Sequence, residues 1–257
     1  MISHKHKCIF IHISKCAGTS VEKAFGVTSQ GAGEGNYETL AGWCPENKLH
    51  LHHATPQQLL DLGYISSEIW NSYYKFIIVR NPWDRALSDY FWLIQNTGKY
   101  DSFSNFVKAG GDFGDILSCR TKEYRGDHLT LQKDYFTLDG KTITYDAVVR
   151  FENTEKGFSK VTSDLALPKA FFLRRRNVNQ NKLTHYSLFY TPKRKQLIAQ
   201  QYGDDIKYLG YLYEEKKQLI DCVKAYNYLW FHPDRKNLLC IKYKRLYAYY
   251  KIFRLST

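Results

Sequence analysis

Two short apolar runs constrain this chain most. Cys8 to Ile13, with His12 inside it, and Tyr74 to Val79 are rich in β-branched residues and are read as strands buried on both faces. Each ends in a small polar loop that opens a helical pattern. Ser14 to Ser20 leads into a helix over Val21 to Phe25. Arg80-Asn81-Pro82 leads into a helix over Trp83 to Gln95, with Asn81 placed to cap it and Pro82 at its first position. Strand, loop and helix repeated in this way predict a parallel sheet with helical crossovers. Further elements are expected downstream. Leu49 to His53 reads as a short strand before a helix started by Thr55-Pro56. Thr142 to Arg150 reads as a third strand followed by a helix over Thr154 to Leu165. Phe171 to Leu173 is a fourth short strand, and residues 192 to 209 and Tyr211 to Leu229 are helical. Stretches 27 to 48 and 110 to 139 read as long loops.

The fold class is therefore α/β: three layers around a central parallel sheet over 1–233, with a basic helical C-terminal tail over 234–257. The 257 residues suit one domain with extensions, and no apolar run approaches the length of a membrane span. The six cysteines include no C-x-x-C pair, which argues against zinc and redox motifs; a chain this long can build a core without disulfides and Cys8 sits in an apolar run, so free thiols in a reducing compartment are expected. The N-terminus carries no signal-peptide pattern, so a cytoplasmic location is expected. The outlying figure is a net charge of +12, which favours an anionic partner: nucleic acid, an acidic membrane surface or an anionic small molecule.

The first loop narrows that choice. Lys15-Cys16-Ala17-Gly18-Thr19-Ser20 joins a buried strand to a helix start, where N–H groups and the helix dipole attract anions. Lys15 adds a charge, Gly18 allows close approach, and Thr19 and Ser20 offer hydroxyls. A plain turn capped by Thr19 would explain the glycine and threonine but not the lysine. The Walker pattern is absent, because Lys15 precedes Gly18. At the end of the second strand, Arg80 stands where a metal-dependent kinase would need a carboxylate. Arg80, Arg85 and Ser88 suit a second, metal-free anionic group. An Arg80–Asp84 salt bridge is the structural alternative, and Trp83 suits either adenine stacking or core packing.

Together the two motifs resemble the sulfotransferases. Ser14-Lys15-Cys16-Ala17-Gly18-Thr19-Ser20 is similar to their 5′-phosphosulfate loop, and Val79-Arg80-Asn81-Pro82 with Arg85, Ser88 and Tyr90 to their 3′-phosphate motif. Arg150-Phe151-Glu152-Asn153, Tyr190-Thr191 and the stretch from Tyr202 to Tyr211 resemble segments of the family-2, carbohydrate-directed type. Ser14 stands where the family usually has Pro, and Cys16 where it has Thr, Ser or Ala. The resemblance implies a P-loop NTPase-like fold and 3′-phosphoadenosine 5′-phosphosulfate as sulfuryl donor. It also implies a carbohydrate acceptor and no metal. By the same resemblance Lys15, Cys16, Ala17, Gly18, Thr19 and Ser20 hold the phosphosulfate, and Arg80 and Ser88 hold the 3′-phosphate.

An acceptor hydroxyl needs a base, and His50, His52 and His53 stand together before Thr55-Pro56. In a strand His50 and His52 would share a face, with His53 opposite. The family segment aligns best with His53-Ala54-Thr55-Pro56, so His53 is the expected base, with His52 and Glu38 as alternatives. His12 is expected to be packed inside its strand. Arg174-Arg175-Arg176, Asn179 and Lys182 carry less weight. Residues 235 to 257 hold seven of the basic residues and no acidic one, leaving +5 for the rest. Their apolar stripe suits peripheral contact with the inner face of a membrane or a docked terminal helix. A nucleic-acid-binding protein is disfavoured because no reader motif appears.

Overall fold

In a computed structural model the protein is described over residues 1–27, 35–172 and 185–216. The chain divides into two units. The first comprises Met1–Asn179 and Thr191–Tyr213, and the second Gln180–Tyr190 and Glu214–Thr257. The basic tail, Arg174 to Arg176, Asn179, Lys182 and the helix expected beyond 216 lie outside the described residues.

The first unit is built on β1 (Ile2–Ser3), β2 (Cys8–Ile11), α1 (Gly18–Ala24), β3 (Trp43–Cys44), β4 (Leu49–His50), α2 (Pro56–Asp61), α3 (Ser67–Ser72), β5 (Tyr74–Val79) and α4 (Pro82–Thr97). It continues through α5 (Phe103–Val107), α6 (Gly114–Ser118), β6 (Thr137–Leu138), β7 (Lys141–Thr142), β8 (Ala147–Arg150), α7 (Thr154–Asp164), α8 (Pro192–Gln201) and α9 (Gly203–Leu209). The central sheet has the order β1-β2-β5-β8 and is flanked by helices. β2, β5 and β8 run parallel, as the strand–loop–helix repeat predicts, while β1 adds an antiparallel edge. Cys8 to Ile11 and Phe76 to Val79 are buried, which explains why both strands read as continuous apolar runs. β8 alternates buried and exposed residues, with Val148 at 46% exposure, as expected of an edge. Within the second unit, a 3₁₀ turn covers Tyr186–Phe189, and the Tyr186 hydroxyl accepts from the Glu214 amide at 2.7 Å.

Four expectations are corrected. The third strand begins at Ala147, because Lys141–Thr142 pairs instead with Thr137–Leu138 in a hairpin. Asp139 and Gly140, with φ of 49° and 71°, form its tight turn. Helix 192–209 is two helices that break at Tyr202. There Asp205 turns inward and its carboxylate accepts from the Gln132 and Lys133 amides, both at 2.9 Å. Phe171 and Phe172 lie in a turn, packed on Phe25 rather than paired as a strand. Finally, the strand expected over Leu49 to His53 stops at His50, and Leu51–His53 winds into a 3₁₀ turn. The alternation of faces assumed for the histidines therefore does not apply. The helix after them starts as read: Thr55 and Gln58 form a reciprocal capping box with Pro56 at N1.

Candidate active site

β2 and β5 are paired in parallel from Cys8↔Tyr74 to Ile11↔Ile77, so the segments that follow them leave the sheet side by side at its carboxyl edge. The first loop is tightly wound. Lys15 and Ala17 have φ of 62° and 64°, a left-handed conformation that non-glycine residues avoid and that concentrates at functional turns. α1 begins at Gly18, earlier than Val21, and its N-cap Ala17 offers no side-chain bond; Thr19 is thus a first-turn residue and not the cap. A Cβ on residue 18 would lie 1.9 Å from the His12 ring, so glycine is required because the imidazole passes against the turn. Lys15, Ala17, Thr19 and Ser20 are half-buried. The Cys16 side chain is turned inward, 3.9 Å from Gln132 Oε1, and burial pushes its thiol up to about 12 although Arg85 and Arg80 pull it down.

The second motif binds the first. Arg80 donates to the Lys15 carbonyl at 2.7 Å and to Asp84 through Nε at 2.8 Å, and its guanidinium covers the Phe151 ring at 4.0 Å. The salt bridge is therefore present, and Arg80 is only 3% exposed. Gln132 accepts from the Arg80 amide at 2.9 Å and donates to its carbonyl at 2.8 Å, in the manner of an added strand residue. Asn81 caps α4 as read, accepting from the Trp83 amide at 3.1 Å. The Asn81 amide in turn donates to Glu152 at 2.7 Å, whose other oxygen accepts from the Tyr211 hydroxyl at 2.9 Å. The Arg150-to-Asn153 segment thus locks the start of α4 to residues 209–211, where Arg150 also reaches the Leu209 carbonyl at 2.7 Å.

Arg85 has a different place from the one its spacing suggests. It is buried and donates to Ser14 Oγ at 3.2 Å and to the carbonyls of Ser14, Thr130 and His128 at 3.3, 3.0 and 2.8 Å. It staples loops together instead of lining a pocket. Trp83 is buried too, its Nε1 on the Lys195 carbonyl at 3.3 Å and its ring edge-on to Tyr213, which is the packing alternative to adenine stacking. Ser88 lies half-buried on α4.

The histidines form one cluster. The 3₁₀ turn brings the rings of His52 and His53 to 4.2 Å, and His53 also meets His12 at 4.8 Å and His128 at 5.0 Å. Each ring has its own partner. His12 Nδ1 pairs with Glu22 at 2.8 Å, His128 Nδ1 with Asp89 at 2.6 Å and His53 Nδ1 with Asp127 at 2.5 Å. His52 Nδ1 accepts from the Gly42 amide at 3.3 Å. An amide can only donate, so neutral His52 carries its proton on Nε2; a carboxylate accepts, so neutral His53 carries its proton on Nδ1 and leaves Nε2 as a lone pair. Burial, then the neighbouring His12, His128 and His50 charges, hold His53 well below the usual imidazole value, and burial with His53 and His12 does the same to His52. Burial alone would raise the Glu22 carboxyl, but the His12 charge and hydrogen bond hold it at about 2. Glu38, the other expected base, is exposed in the turn over 37–40. His53, Asp127 and His128 are also near enough for their ligand atoms to lie within 4.8 Å of one another.

Sequence reading missed Asp89, Trp92, Asp127 and Gln132. The Trp92 ring stacks on His128 at 4.6 Å and lies under the Lys15 ammonium at 5.1 Å, fixing the approach of that charge. A signal for two of the four existed. Arg85, Ser88, Asp89 and Trp92 fall at i, i+3, i+4 and i+7, one face of α4.

A family model described as the sulfotransferase family matches residues 1–214. The chain belongs to the sulfotransferase family. It is of the family-2 type, and its members transfer a sulfuryl group from a nucleotide donor to an acceptor. No curated protein and no solved structure matches the chain. Among the described residues no helix is long and apolar enough to cross a membrane.

Proposed function

We propose that this sulfotransferase moves a sulfuryl group from 3′-phosphoadenosine 5′-phosphosulfate to a hydroxyl of a carbohydrate, with Lys15 assisting the leaving group and His53 as general base. The observation that carries the reading is the convergence of three features at one sheet edge: the strained Lys15 loop, Arg80 bonded to that loop, and a histidine with a bare Nε2. The acceptor oxygen forms a bond to sulfur as the bond from sulfur to the 5′-phosphate oxygen breaks. The hydroxyl proton passes to His53 Nε2, and the adenosine 3′,5′-bisphosphate leaves with the electron pair. Lys15 places positive charge where that oxygen becomes anionic. The first loop fits the phosphosulfate through Lys15, the backbone from Cys16 to Gly18, and the Thr19 and Ser20 hydroxyls. Arg80 fits the 3′-phosphate by exchanging Asp84 for it, with Ser88 as the accompanying hydroxyl.

Likeness to carbohydrate-directed members, in the segment from Arg150 to Asn153 and the stretch from Tyr202 to Tyr211, supports a glycan, polysaccharide or lipid-linked oligosaccharide as acceptor. Six cysteines without a C-x-x-C pair fit a cytoplasmic site of action, with 1–233 as the catalytic domain. The basic segment 235–257 fits peripheral contact with the inner membrane face, and deleting it would then shift the protein out of the membrane fraction.

Titration with adenosine 3′,5′-bisphosphate tests the donor assignment. Saturable binding that weakens when the 3′-phosphate is removed is expected, and Arg80→Ala should erase most of that difference. Absence of binding, or indifference to the 3′-phosphate, would overturn the reading.

A further inference from the structure

We propose that Asp127 is the positioning residue of the sulfuryl-transfer reaction, holding the His53 imidazole in the tautomer and orientation that leave Nε2 able to take the acceptor proton. The inference rests on the assignment of His53 as base and adds the group through which that base works. It begins from the distribution of carboxylates. Three histidine rings crowd His53, and a carboxylate could have served any of them. His12 is taken by Glu22 and His128 by Asp89, while His52 is held by a backbone amide. Asp127 is left to His53 alone, at 2.5 Å from Nδ1. Its other oxygen, Oδ1, is buried with no hydrogen-bond partner among the described residues. The carboxylate therefore gives its hydrogen bond to one ring, although its charge also reaches His50.

That charge matters when His53 takes the proton. The positive groups His12, His128, His50 and Arg85 are unfavourable to an imidazolium at His53. Glu22 and Asp89 are committed to His12 and His128. Asp127 is then the group that compensates the new charge, as the carboxylate does in a hydrolase triad. Its backbone setting is firm. The His128 and Thr130 carbonyls just beyond it are clamped by Arg85, and the His53 carbonyl accepts from the buried Tyr135 hydroxyl at 3.0 Å.

A divalent ion held by His53, Asp127 and His128 is the competing use of the same groups. Two ligands with bonds of about 2.0–2.1 Å in a tetrahedral site stand about 3.3 Å apart. The Nδ1–Oδ2 separation of 2.5 Å is that of a hydrogen bond, so an ion would have to use His53 Nε2 and Asp127 Oδ1, and chelation tests for it.

Asp127→Asn keeps the shape and removes the charge. In the full chain it should lower kcat by about 10²–10⁴-fold, leave the KM values for both substrates near those of the parent, and move the acid limb of kcat/KM to lower pH. Asp127→Glu should recover part of kcat. A kcat within a few-fold of the parent in Asp127→Asn would overturn the proposal, as would a loss confined to KM or activity that vanishes with a chelator and returns with zinc. Should Asp127→Asn fail to fold, long-range ¹H–¹⁵N spectra of ¹⁵N-histidine-labelled parent protein decide the matter, with His53→Gln supplying the assignment. A neutral His53 protonated on Nδ1 is expected, and one protonated on Nε2 refutes the proposal. Bisphosphate binding is unaffected by either result, so failure here is separable from failure of the donor assignment.

Discussion

Arg80 and His53, proposed for the donor and for the base, depend on different parts of the chain. Arg80 meets Asp84, four residues on in the same helical motif, and the carbonyl of Lys15 in the loop of the adjacent strand. His53 meets Asp127, 74 residues away in a stretch of short 3₁₀ turns and small helices. The first environment is set by two parallel strands and the turns that must follow them. The second is assembled by packing, once Arg85, Gln132 and Asp205 have folded the segment from Asp127 to Lys133 against the sheet edge. On the proposed assignment, the donor half is stiff and locally encoded, and the half for proton removal has parts that come together only in the folded molecule.

The sharpest way to break that comparison is to exchange the two adjacent histidines. His53→Gln should lower kcat by about 10²–10⁴-fold, the usual contribution of a positioned base. His52→Gln should retain most of kcat, because its bonded Nδ1 leaves a protonated Nε2 that cannot accept. Single-turnover rates with saturating donor measure both. If His52→Gln were the more damaging change, the tautomer argument would be wrong and the cluster would work in the opposite sense.

Legibility in sequence follows the same division. The strand–loop–helix repeat announced β2, β5 and their helices because burial on both faces leaves a short continuous apolar run rich in β-branched residues. Lys15, Gly18 and Arg80 stand out in the sequence because their partners lie within a few residues or across one pair of strands. Asp127 and Gln132 do not, since a lone Asp or Gln in a Gly- and Asp-rich stretch has no periodicity to mark it. His50 to His53 were found as a group, but their faces were misassigned. Alternation is a property of a strand, and β4 ends after two residues. Arg85 was read as a ligand of the substrate because a sequence shows its charge but not the carbonyls around it.

Arg85 also sharpens the donor half. Arg85→Met would leave the Ser14, Thr130 and His128 carbonyls without their donor and Asp205 without its cation, 3.9 Å away. A loss of about 3–5 kcal/mol in urea unfolding is expected, as for removal of one partner of a buried pair. Protein that remains folded should still distinguish adenosine 3′,5′-bisphosphate from its 5′-monophosphate, since Arg80, and not Arg85, is assigned to that phosphate. A variant of normal stability that loses this discrimination would reverse the two assignments.

The smallest expected effect is in stability against pH, and its two steps separate the histidine cluster from its acidic partner. His52 and His53 are held well below 6.5 in the folded protein, so the unfolded chain binds more protons once the pH falls beneath that value. Their contribution is then fully present above pH 6.5 and declines as the pH drops toward the lowered folded values. Glu22, held at about 2 against an ordinary 4.5, acts in a lower window: its contribution is intact above pH 4.5 and is lost between there and 2. Melting temperatures recorded from pH 8 to pH 3 should fall as the Met1 amine and then the histidines take up protons, and again below 4.5. Replacing His50, His52 and His53 by Gln should shrink the decline below 6.5 and leave the one below 4.5. A decline below 6.5 of parental size in the triple variant would move the titrating groups elsewhere in the molecule.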